Sequence, residues 1–134
     1  MLTRHLSLGK AGEELAGTYL QTLGFEIVSR NWRCRGGELD IICTSGKDIV
    51  FVEVKTRTDQ DRGLPGEALD EKKQKRLIKA AGVYLSRQKL WDRPSRFDLV
   101  AVSFDATGCR LEHVTDVIQV SQTLVGRHAN WQPW

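Results

Sequence analysis

The chain has little that would staple it covalently or carry it into a membrane. Its 134 residues include three cysteines. Cys34, Cys43 and Cys109 are odd in number and lack paired metal-ligand spacing, which argues against a disulfide framework and against a zinc site. No run approaches the ~20 apolar residues of a membrane span. The opening Met-Leu-Thr-Arg-His-Leu-Ser-Leu-Gly-Lys lacks the apolar centre of a secretion signal, so a cytoplasmic protein without membrane contact is expected. His5, His113 and His128 are scattered, and each reads as a surface or core residue rather than a catalytic one. Excess charge of one sign is also missing: 20 Lys+Arg against 17 Asp+Glu leave +3, too little by itself to mark a nucleic-acid binder. With 40% hydrophobic and 28% charged residues, the chain fits one soluble domain over 1–134. Residues 121–134, ending Trp131-Gln132-Pro133-Trp134, are a tail with no pattern that assigns it a place.

What is present is a hairpin with acids in the wrong places. Residues 38–57 read Glu-Leu-Asp-Ile-Ile-Cys-Thr-Ser-Gly-Lys-Asp-Ile-Val-Phe-Val-Glu-Val-Lys-Thr-Arg, two apolar strand-like runs around Ser45-Gly46-Lys47-Asp48. Gly46 at the first central position suits a type II′ turn, so Ser45 pairs with Asp48. Counting back along both strands puts Asp40 across from Glu53. Carboxylates so paired stand about 5 Å apart at Cβ and repel, so something positive is expected between them. The strand period of two sets Glu53 and Lys55 on one face with Phe51, while Val50, Val52 and Val54 take the other. Two hard carboxylates beside an ammonium suit Mg²⁺ or Mn²⁺ and metal-assisted attack of water on a phosphodiester. Lys55 then orients the water, takes its proton, or offsets charge on the transition state.

The Glu-x-Lys spacing alone is weak, since a chain of this length contains it about 0.5 times by chance. Glu71-Lys72-Lys73 has the same form yet begins a charged helical stretch, where it reads as a solvated face. Glu53 differs because it interrupts Ile-Val-Phe-Val, where an uncompensated carboxylate costs several kcal/mol. The competing structural reading is an edge-strand ion pair from Glu53 and Asp40 to Lys55 or Arg57. Basic residues gather nearby: Arg30, Arg33 and Arg35 precede the acidic strand, Arg57 and Arg62 follow Lys55, and Lys72, Lys73, Lys75, Arg76 and Lys79 crowd one helix, where Lys72, Arg76 and Lys79 share one side. Acids on a sheet ringed by such residues suit a groove for a nucleic-acid backbone. The plainer reading of the helix is again a solvated face, because Leu77, Ile78, Ala81 and Leu85 already give it an apolar stripe.

The elements follow in the order αβββαββ. Leu8 to Leu23 forms an amphipathic helix, with Ser7 as N-cap and Gly24 as stop. Glu13, three residues before Ala16 and seven before Leu20, falls at the inner edge of the apolar stripe and can face the sheet, whereas Glu14 is on the wetter side. The alternative for Glu13 is a first-turn acid favoured by the helix dipole. A strand over 26–32, the hairpin, a break at Gly63-Leu64-Pro65-Gly66 and a basic helix over 68–88 follow, with Gly82 its weak point. Residues 96–104 read as a buried strand and 110–117 as a more exposed one. The fold class is α/β, a mixed five-stranded sheet flanked by helices.

Gly9, Gly12-Glu13, Ala16, Asn31, Gly37-Glu38-Leu39-Asp40, Phe51-Val52-Glu53-Val54-Lys55, Arg57, Gly63, Lys72, Ala80, Tyr84-Leu85 and Arg96-Phe97-Asp98 together resemble the YraN family of small bacterial proteins, over roughly residues 8 to 104. That family is grouped with the restriction-endonuclease-like PD-(D/E)XK nucleases, and its element order is similar to archaeal Holliday-junction resolvases. The resemblance implies Asp40, Glu53, Lys55 and Glu13 as catalytic residues. It implies a Mg²⁺ or Mn²⁺ site at Asp40, Glu53, Glu13 and the Val54 carbonyl. Leu39 stands where the motif's name has Pro. Arg33, Arg35, Arg57, Lys72, Arg76 and Lys79 are the residues expected to bind DNA, branched or otherwise structured. A resolvase-like nuclease is expected to form a homodimer, so that two sites meet two strands. Two other functions fit the same residues: a non-catalytic nucleic-acid-binding module or subunit of a repair or recombination complex, and a purely structural ion network.

Overall fold

The computed structural model describes residues 4–58 and 69–118, with side chains from Leu8 onward. The break read at Gly63–Gly66 and the tail from 121 fall outside these, as do the side chain of His5 and all of His128. The elements are α1 (Arg4–Thr22), β1 (Glu26–Cys34), β2 (Gly37–Ser45), β3 (Asp48–Thr58), α2 (Glu71–Gln88), β4 (Ser95–Asp105) and β5 (Gly108–Val114). The order is the one the sequence predicts. One five-stranded sheet runs β1-β2-β3-β4-β5, with β3 and β4 parallel and the other neighbours antiparallel. It is therefore mixed, and α2 is the crossover that a parallel pair requires.

Turn chemistry sets the hairpin register. Gly46 has φ +61° while Lys47 is not in the left-handed region, as a type II′ turn demands. Ser45 pairs with Asp48, and the ladder continues in step to Ile41 opposite Val52. The helices are set by their ends. Gly24, at φ +90°, lets the chain leave α1, with the Phe25 N–H donating to the Leu20 carbonyl. Ser7 is not the cap of α1, which begins three residues earlier at Arg4. Asp70 caps α2 by accepting from the Lys73 N–H at 2.8 Å. At the other end Lys89, at φ 56°, donates its N–H to Leu85 and Ser86. The helix runs through Gly82 without a break.

Each sheet face carries one helix. Ala16 and Leu20 of α1 pack with Ile41, Cys43, Val50, Val52, Val100 and Val102. Leu77, Ala80, Ala81, Tyr84 and Leu85 of α2 pack with Leu39, Ile42, Ile49, Phe51, Phe97 and Leu99. The strand alternation read from β3 is thus observed, with Phe51 toward α2 and Val50 and Val52 toward α1. Each such side chain contributes roughly 1.5–3 kcal/mol by leaving water. Gly12 lets α1 come down on β3, since a Cβ there would overlap the Thr56 hydroxyl. Leu23 lies beyond the helix end and is half exposed rather than part of the apolar stripe.

Alternation fails beside Asp40, apart from a register shift in β1 between Ile27 and Ser29. Leu39 packs on the α2 side and Ile41 on the α1 side, although residues two apart on a strand should share a face. On β1 the Arg30 guanidinium lies against Gly17 of α1 while Trp32 packs toward α2. Between these sit Asp40 and Asn31, and Asn31 has φ 51°. Both strands turn over together there, and Asp40 sits at the reversal rather than in regular pleat.

Candidate metal centre and its basic pocket

The reversal explains where the Asp40 carboxylate goes. The β2–β3 ladder ends at Ile41 and Val52, one step short of Asp40 and Glu53. Beyond it, Asp40 Oδ2 accepts the Val54 N–H at 2.8 Å, so a side chain takes over the bonding of a strand neighbour. The Glu53 carboxyl stands close enough to act on it. Burial, then the Glu53 charge, push Asp40 up to about 8; the Val54 N–H opposes this, the nearby Glu53 side chain supports it, and the Glu13 charge adds a smaller push.

Glu53 receives its cation from an unexpected residue. Lys73 Nζ lies 2.6 Å from Glu53 Oε2, and both side chains are largely shielded, 40% and 11% exposed. Burial pulls the Lys73 ammonium toward lower pKa, but the hydrogen bond and charge of Glu53 and the charge of Asp40 outweigh it and raise it. Lys55, two residues along β3, is exposed. The ammonium on Glu53 therefore comes from α2 and not from the Glu-x-Lys strand. The structural alternative changes too, because β3 is the middle strand of five and not an edge.

These acids open on a cavity of about 400 Å³ between the start of β2 and the first turns of α2. Asp40, Glu53, Glu38, Arg33, Lys73 and Arg76 supply its charges, and Cys34, Gly36, Gly37 and Leu77 complete the wall. Arg33 also meets Glu38 at 3.2 Å in an exposed pair of little energetic weight. Lys79 crosses the rim beside Gly36, where a Cβ would stand 3.6 Å from its Nζ. Lys55, Arg35, Arg57 and Lys72 do not line this cavity. Glu13 is partly buried on α1, beside the Gly12–Thr56 contact, while Glu14 is exposed, as the helix phase predicts. Among the described residues no three His, Cys, Asp or Glu side chains stand close enough to hold an ion together. Asp40 and Glu53 still suit Mg²⁺, which accepts two hard carboxylates and keeps several waters.

The other face holds a second buried acid. Asp98 is fully buried, and its oxygens take Arg96 Nε at 2.9 Å and Nη2 at 3.2 Å, the Asp116 N–H at 2.9 Å and His113 Nε2 at 2.9 Å. His113 Nδ1 is 2.9 Å from the Tyr19 hydroxyl, which joins α1 to β5. The Nε2–H tautomer satisfies both of these bonds. His113 is thus a core residue, as its isolation in the sequence suggests. All three cysteines are free thiols.

A family model described as "Uncharacterised protein family UPF0102" matches residues 12–102, a span that takes in Glu13, Asp40, Glu53 and Lys73. The chain belongs to the UPF0102 family. A UPF0102 protein of Nitratidesulfovibrio vulgaris is 48% identical over 131 residues, covering 98% of this chain and 97% of its own. Those of Syntrophus aciditrophicus and Geobacter metallireducens are 43% and 42% identical, each over 90% of this chain and 94% and 99% of theirs. UPF0102 is the family to which the YraN resemblance pointed. Within the UPF0102 span the residue that sequence reasoning passed over is Lys73. Its signal was there: Lys73, Leu77, Ala80, Ala81 and Tyr84 follow helical spacing, so Lys73 continues the buried stripe of α2. No helix among the described residues is long and apolar enough to cross a membrane.

Proposed function

We propose that this UPF0102 protein is a Mg²⁺- or Mn²⁺-dependent endonuclease of the PD-(D/E)XK type that hydrolyses phosphodiesters in branched or structured DNA. The observation that carries this is the adjacent pair of carboxyls, Asp40 and Glu53, at a 400 Å³ cavity walled by Arg33, Lys73 and Arg76. Asp40 and Glu53 would hold the ion, with the Val54 carbonyl as a further donor and Glu13 adding negative charge from α1. The bound ion would make a water acidic enough to attack phosphorus and would draw charge from the phosphate. Arg33 and Arg76 meet the phosphate backbone inside the cavity, and Lys79 extends that track past Gly36. Lys55, Lys72, Arg35 and Arg57 contact DNA outside it. A homodimer brings two such sites to two strands.

Purified wild type, Asp40→Asn and Lys55→Ala are incubated with synthetic four-way junctions, flaps and linear duplexes in Mg²⁺, Mn²⁺ or EDTA. Metal-dependent nicking by wild type and its loss in Asp40→Asn is the expected result. Wild type inert toward every substrate with both metals overturns the nuclease reading for these DNAs.

One observation favours a non-catalytic DNA-binding module instead. Glu53 already has an ammonium, Lys73 Nζ, at 2.6 Å, so the acid pair is partly compensated without a metal. Junction binding that is unchanged by EDTA and by Asp40→Asn, with no nicking, selects that reading.

A further inference from the structure

Lys73 is placed with more care than the lysines around it. The Asp70 carboxylate bonds its backbone N–H at 2.8 Å, which pins its position in the first turn of α2. Four residues on, Leu77 is buried against the sheet, so the Lys73 side chain leaves the helix on the side that faces β3. Lys72 and Lys75 in the same turn are exposed, and Lys75 pairs with Glu71 at 3.6 Å on the helix surface. Lys73 alone of these three turns inward, and its Nζ stops 2.6 Å from Glu53 Oε2, beside Asp40.

Glu53 is also one of the two carboxylates a metal would need. A Mg²⁺–carboxylate bond is about 2.0–2.1 Å long. An ion bonded to Oε2 and an ammonium 2.6 Å from the same atom would be two cations within a few ångströms, in a site partly shielded from water. They compete for one anion. We propose that Lys73 is a resident counterion, which holds Glu53 while the site is metal-free and is displaced into the cavity when a divalent cation binds. The proposal rests on the metal-dependent reading above and adds to it that the apparent metal affinity is set by competition with an internal side chain. The ammonium is a placeholder: it offsets the repulsion of the acid pair during folding, and the metal takes over that task.

The test needs no nuclease activity. Mn²⁺ binding to the full chain is measured by calorimetry for wild type, Lys73→Gln, Lys73→Arg, Lys72→Gln and Asp40→Asn. Removing a like charge at this range should tighten Mn²⁺ binding by Lys73→Gln about tenfold or more. Lys73→Arg and Lys72→Gln should stay near wild type, and Asp40→Asn should bind far more weakly. Wild-type protein is also treated with a limiting acetylating reagent, with and without saturating Mg²⁺, and lysine modification is read by mass spectrometry. Lys73 should become several-fold more reactive with metal while Lys72 and Lys75 do not change. This second measurement stands even where Lys73→Gln fails to fold. Equal or weaker Mn²⁺ binding by a folded Lys73→Gln, or Lys73 reactivity unmoved by saturating metal, overturns the counterion role and leaves the metal site standing. No binding by wild type or by Lys73→Gln removes the metal reading, and this inference with it.

Discussion

Two acids, one toward each face of the same sheet, meet opposite surroundings. Asp98 on the α1 face is fully buried and meets a guanidinium fork, an imidazole and a backbone N–H. Asp40, at the α2-side cavity, accepts one backbone N–H and lies beside Glu53, which holds the Lys73 ammonium instead, and its pKa rises to about 8. Asp98 lines a narrow cleft of about 10 Å³, whereas Asp40 opens also on a cavity of about 400 Å³. A carboxylate whose lone pairs are all met ties strands together, and one beside another acid at an opening keeps an oxygen free for a ligand. The two acids differ in the donors around them.

This contrast is most directly broken by removing each acid in turn. Asp98→Ala strands Arg96 and His113 beside a cavity and should cost about 3–5 kcal/mol in urea unfolding. A loss below about 1 kcal/mol would show that the network is not what joins β4 and β5 to α1. Asp40→Asn should instead be neutral or stabilising in EDTA, with a pH signature. The folded Asp40 keeps its proton up to about 8, while the unfolded carboxyl releases it near 3.8. Between those values the folded state binds more protons, so its stability falls as pH rises. The advantage of Asp40→Asn over wild type should therefore grow by more than about 1 kcal/mol from pH 5 to pH 8.5. A flat difference across that range contradicts the raised pKa.

A separate effect is expected from metal itself. Mn²⁺ at about 100 times its dissociation constant should stabilise wild type by roughly 2.7 kcal/mol and leave Asp40→Asn unmoved. Equal melting shifts in both place the ion elsewhere. The least expected change concerns Cys43, whose thiol is pushed up to about 12 by burial and then by the Asp98 charge. Near pH 8 a maleimide should label exposed Cys109 promptly and spare Cys43 while the fold holds. Prompt labelling of Cys43 would mean that the core around Asp98 opens readily.

Much of the hairpin was legible because its rules are local. Gly46 selects the turn, the turn sets the register, and the period of two sends Glu53 toward α2 with Phe51. The helix phase of α1 put Glu13 inward and Glu14 outward for the same reason. The reversal at Asn31 and Asp40 was hidden, since it appears only when β1 and β2 are covered by α1 at one end and α2 at the other. Lys73 was hidden by its company. It belongs to the Glu71-Lys72-Lys73 stretch that reads as solvated, and that reading holds for Glu71 and Lys72.

The sequence by itself determined the elements, their order, the hairpin register and the two acids, because capping, turn geometry and periodicity act within a few residues. Only the tertiary structure decided which cation meets which acid. Glu53 and Lys73 are joined across the β3–α2 crossover, and Asp98 and His113 across the β4–β5 pairing. Charge in a shielded site responds to distance in space, and neighbours along the chain such as Glu53 and Lys55 hold no advantage there.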